Sequence, residues 1–227
     1  MKVRKLIGGT LLAVSLLGSS ASGADLERVI CKPESYWRAA LLDFFDEAQA
    51  DAKSAKISVS NWVEGQLELL TQLAGAYSMS VKDLERAYSL AVKKAVESSI
   101  PLLKRCTARK LGEPDTAILF QEITPEVKDA CAAETFSYIK ANATGFLREA
   151  LLQCDLLHTS PLMDSFLSDG KCRLMMSYFP YQAQQELYRF LSKEESKLYS
   201  DPKMWKTERL RTILKTLKDN GLIITGG

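Results

Sequence analysis

Five cysteines, a lone histidine and a few clusters of charge are the side chains through which this chain can do chemistry. The cysteines are Cys31, Cys106, Cys131, Cys154 and Cys172. No two of them form a C-x-x-C pair, so zinc, haem and thioredoxin-like sites lack their spacing. In an oxidising compartment such thiols form structural bridges instead. Cys106 and Cys131 flank one break in the helical pattern, and Cys154 and Cys172 flank a second. Pairing them this way closes loops of about 26 and about 19 residues, each worth roughly 3 kcal/mol. Connectivity is not fixed by sequence; the expectation is Cys106–Cys131 and Cys154–Cys172, with Cys31 left unpaired.

His158 is the single histidine. Asp155, Asp164, Ser160 and Ser165 lie near it in the chain, which is the raw material of a hydrolytic triad. A helix C-terminus is the commoner place for such a histidine, where it meets the negative end of the dipole, and that is the reading favoured here. Glu34-Ser35 follows Pro33 at a helix start, as the catalytic glutamate does in helical murein-cleaving enzymes. Those enzymes continue into a glycine-rich segment, whereas here no glycine follows until Gly65. Glycoside hydrolysis also needs a second carboxylate, and nothing selects one, so Glu34 is read as stabilising the first helical turn. Phosphate-cradling glycine loops, G-x-S-x-G and H-E-x-x-H are absent. No catalytic, cofactor or metal residue is therefore assigned, and no enzyme activity is expected.

Charge is distributed unevenly. Lys203, Lys206, Arg209, Arg211, Lys215 and Lys218 crowd the last helical segment against Glu208 alone. Such a face suits an acidic partner or an anionic membrane surface, or is simply the solvated side of a helix docked by Trp205, Leu210, Ile213, Leu214 and Leu217. Segment 25–51 is acidic, and the two ends of the chain either attract each other or offer two contact faces. Met175, Met176, Tyr178, Phe179 and Tyr181 form an apolar cluster suited to a ligand groove, with ordinary core packing as the competing account.

The elements that position these groups are helical. Lys2, Arg4 and Lys5, an apolar stretch from Leu6 to Gly18, and the small residues Ser19 to Gly23 read as a secretory signal cleaved before Ala24. Its removal takes three bases and turns the formal charge from +2 to −1, which argues against nucleic-acid binding. Helical stripes follow Pro33, begin near Ser58 to Asn61, and run from a Ser80/Asp83 capping box to Pro101 or Gly112. Thr124-Pro125-Glu126 starts a long helix reaching about Leu157, with Gly145 as a break point. Ser160-Pro161 opens a short helix, Pro180 the next, and Asp201-Pro202 the last, ending at Asn220-Gly221. At 227 residues and 46% hydrophobic composition, the expected fold is an all-α bundle of seven or eight helices in one domain over 24–227, with an internal break at 107–123.

Function follows by exclusion as much as by signal. The expected role is that of an exported, periplasmic or extracellular protein acting through protein–protein contact in the cell envelope. An assembly accessory, an adaptor, or an inhibitor or immunity-type binder would fit, with a partner that is acidic if it meets the basic face. The alternative is a bundle that binds a small ligand or lipid. Oligomeric state is not legible.

Overall fold

A computed structural model describes residues 34–57, 59, 65–110 and 123–221. The expected leader, Cys31, the 111–122 connection and the C-terminal 222–227 lie outside the described residues, as do the side chains of Glu34, Ser35 and Trp37. The described residues form seven α-helices packed together, with no strand among them. These are α1 (Glu34–Ala52), α2 (Leu67–Ala76), α3 (Val81–Lys110), α4 (Ile123–Gln153), α5 (Ser160–Ser168), α6 (Gly170–Ser200) and α7 (Glu208–Asp219). A 3-10 turn at Pro202–Met204 joins the last two.

Three helices of 30 or 31 residues form the frame. Each is roughly 45 Å long at 1.5 Å per residue. α4 runs back along α3, and α6 returns along α4, because each traverses two apolar clusters in alternating order. At one end α1, the later half of α3, the start of α4, the later half of α6 and α7 bury Phe44, Phe45, Ile100, Leu191 and Leu214. At the other end α2, α5 and the opposite halves of the long helices bury Leu70, Tyr88, Leu147, Phe166 and Phe179. Tyr88 and Phe179 meet edge to face at 5.5 Å in this second cluster. Among the described residues no helix is long and apolar enough to cross a membrane.

Local chemistry explains several helix ends. The Ser80 hydroxyl accepts the Asp83 amide at 3.1 Å and donates to the Asp83 carboxylate at 2.6 Å, starting α3 where expected. Thr207 caps α7 through the Leu210 amide. Gly221, at φ +68°, takes the left-handed turn just beyond Asn220, the residue that caps α7. α4 passes through Gly145 without a break, since nothing crowds that position and the residues around it bury one face against the core.

Three expectations need correction. The last helix does not open at Asp201-Pro202: Pro202–Met204 makes the 3-10 turn, and α7 begins at Glu208 behind the Thr207 cap. α6 does not open at Pro180: it begins ten residues earlier, because the Asp169 carboxylate caps it by accepting the Lys171 amide at 2.7 Å. Pro180 lies buried inside that helix, and the packing of Met175, Phe179 and Ala183 along one face outweighs the missing amide. The second expected disulfide is not formed. Cys106 and Cys131 are bonded, with Cα atoms 6.1 Å apart, tying α3 to α4. Cys154 and Cys172 are free thiols. The segment between them folds as a helix of its own, and each sulfur packs as a small apolar group against the second cluster. Burial pushes the Cys172 thiol up to about 12, so it stays protonated and unreactive at neutral pH.

Candidate functional site

The basic C-terminal helix is largely explained by the fold. Its apolar stripe of Leu210, Ile213, Leu214 and Leu217 is buried against α1. Asp43 of α1 accepts the Arg209 guanidinium at 2.9 and 3.0 Å and the Thr207 hydroxyl at 2.7 Å. Lys206 is ion-paired with Glu47 of the same helix. The acidic and basic ends of the chain therefore pair with each other, and Lys206 and Arg209, still about half exposed, are held by carboxylates of α1. Lys203, Arg211, Lys215 and Lys218 remain exposed. Among the described residues Arg211 reaches the Trp205 carbonyl, at 3.4 Å.

His158 is exposed in the α4–α5 link, with Nδ1 at 3.3 Å from Asp155. Asp164 is held by Arg148 instead, and Ser165 receives the Tyr77 hydroxyl. His158 thus meets Asp155, while Asp164 and Ser165 are engaged elsewhere. Among the described residues no three His, Cys, Asp or Glu side chains converge as a metal site.

Buried carboxylates on the later half of α6 were not singled out from sequence. Glu186, Glu194 and Glu195 all lie inside the bundle. Glu195 accepts the Ile123 and Thr124 amides at 2.6 and 2.9 Å and the Tyr199 hydroxyl at 2.7 Å. It thus caps α4 from another helix, a task sequence alone had given to Thr124. Glu186 is held by Arg189 at 2.6 Å. Glu194 takes Lys197 at 2.6 Å on one oxygen, while its other oxygen is buried without a donor. Lys197 also lies 3.7 Å from Asp51 at the end of α1. Burial pushes the Glu194 carboxyl above the ordinary carboxylate range, with Lys197 opposing and Asp51 reinforcing the shift. A raised folded value means that the folded chain keeps a proton the unfolded chain has released. Stability from this group is present below the ordinary carboxylate value and is lost as pH rises towards the raised one. The melting temperature is expected to fall as pH rises above the ordinary carboxylate range, and Glu194→Gln to flatten that slope. Equal slopes in the two proteins would refute the assignment.

The second cluster's end of the bundle carries a different surface. Leu174, Tyr178 and Tyr181 are 51%, 47% and 62% exposed. They stand at i, i+4 and i+7 of α6, one row on one face. Beside them a groove of about 420 Å³ runs between α4 and α6, with Leu167 of α5 also in its lining. Phe136 and Tyr181, both in its lining, meet at an inclined angle with ring centroids 4.8 Å apart. Lys140 of α4 and Arg173 of α6 supply its charged lining. Of the apolar cluster expected from sequence, Met176 and Tyr181 line the groove, Tyr178 joins the exposed row, and Met175 and Phe179 are core. Phe136, Lys140, Arg173 and Leu174 were missed. The 174–178–181 spacing was visible, but it falls across the point where α6 had been expected to begin. No protein-family model, curated protein or solved structure matches the chain.

Proposed function

We propose that this is an exported helical protein, periplasmic or extracellular, that acts by protein–protein contact as an envelope-assembly accessory or adaptor, or as an inhibitor or immunity-type binder. The observation that carries the reading is the exposed row Leu174, Tyr178 and Tyr181. Single exposed apolar side chains are ordinary on a protein surface. Three large ones in helical register, two of them tyrosines, are what a contact face needs, because aromatic side chains bury much area at low entropic cost. Export is supported by the leader-like N-terminus and by the Cys106–Cys131 bridge, a bond that persists in oxidising compartments. Lys203, Arg211, Lys215 and Lys218, exposed and without a carboxylate partner among the described residues, stay available for peripheral contact with an anionic surface.

The test is affinity isolation from the producing cell with the wild-type chain and with the combined Leu174→Ser, Tyr178→Ser and Tyr181→Ser variant. All three residues are exposed, so circular dichroism should be unchanged. The expected result is one stoichiometric protein that is lost with the variant. A co-purified lipid or small molecule without a protein, or a protein recovered equally by both chains, would overturn the proposal.

A further inference from the structure

Resting on the contact reading above, we infer that the partner presents an acidic amphipathic helix to the groove between α4 and α6. Its apolar anchors lie over Phe136 and Tyr181, and its carboxylates meet Lys140 and Arg173. The lining residues repeat helically on both walls. α4 contributes Phe136, Lys140, Ala143 and Thr144, and α6 contributes Arg173, Met176, Ser177, Pro180 and Tyr181. Each wall thus spans about two turns, roughly 12 Å. That is the reach of helical anchors at i, i+4 and i+7, the spacing with which a helix lies in a groove. Ala143, the smallest lining side chain, lets such a helix approach closely.

Charge selects the occupant. Several cations of the bundle find carboxylates within it: Lys94 meets Glu149, Lys104 meets Asp46, Arg148 meets Asp164 and Arg189 meets Glu186. Lys140 and Arg173 have no carboxylate partner among the described residues, and no acidic residue lines the groove. A second copy of this chain placed on the same face would bring its own Lys140 and Arg173 towards these two, and like charges across an interface are penalised. A membrane surface would bind the protruding row and leave the concave groove unfilled. An acidic helix fills the groove and neutralises both cations, and its encounter is accelerated at low salt.

The experiment places photoreactive benzoylphenylalanine at Ser177 of the full chain in the producing cell and maps the crosslinked segment, with and without Lys140→Glu and Arg173→Glu. Both lysine and arginine are surface groups, so an unchanged melting temperature verifies the fold. The expected adduct is an acid-rich amphipathic segment of another protein, with its yield reduced at least tenfold by the charge reversal. A neutral or basic segment, an adduct with a second copy, or a yield indifferent to charge overturns this inference. It does so without touching the contact reading, provided the serine variant of the exposed row still loses the partner. If neither change affects the partner, both readings fail.

Discussion

Glu195→Ala lowers the stability of the folded chain by about 3 kcal/mol, the cost of stranding two buried amides and removing a charge-assisted acceptor. For a chain of this length that is roughly 6–12 °C in melting temperature. The carboxylate bridges the first amides of α4 and the Tyr199 hydroxyl, so its loss uncaps a 31-residue helix at the point where it leaves the 111–122 connection. The first amides of any helix lack intrahelical acceptors, and the Thr124 hydroxyl makes no bond that would replace the lost one. Glu195→Gln keeps one acceptor oxygen and should recover about half of the loss. Thermal unfolding followed by circular dichroism checks both variants. An alanine variant that melts with the wild type would show that α4 starts on its own.

Breaking the Cys106–Cys131 bond costs a comparable amount, about 3 kcal/mol from the entropy of a chain no longer closed into a loop of about 26 residues. The bond joins the last turns of α3 to the first turns of α4. It therefore restrains the same α3–α4 junction whose helix start Glu195 caps. Urea denaturation of the reduced protein, and of the Cys106→Ala, Cys131→Ala double variant without reductant, should show the same shifted midpoint. Reduction that shifts the midpoint of the double variant as well would place the effect elsewhere. Because Glu195 and the disulfide act on one junction, removing both should cost less than the two losses taken separately.

These two contributions also mark where the sequence was readable. Elements stabilised locally were legible: the Ser80/Asp83 start of α3, the Ser160-Pro161 start of α5, and the end of α7 before Gly221 each depend on residues a few positions apart. The Cys106–Cys131 pairing was legible because both cysteines border one connection. What depends on residues distant in the chain was not. Glu195 lies more than seventy positions from the amides it caps, and Asp43 more than one hundred and sixty from Arg209. The pairing of Asp43 and Glu47 with Arg209 and Lys206 ties part of the basic row to α1. Pro180 misled for the opposite reason. Its local signal is that of a helix start, and only the burial of Phe179 and Ala183 on the same helix overrides it. The contact row of α6 went unrecognised with it, since Leu174 and Tyr181 fall on opposite sides of that proline.

The account rests on α6, rather than the basic C-terminal helix, being the face through which the protein acts. A photoreactive residue placed singly at Tyr178, on the exposed row, and at Lys215, on the remaining basic row of α7, compares the two faces in intact cells. Adducts to another protein from position 178 and none from 215 are the predicted result. Adducts from 215 with none from 178 would contradict it.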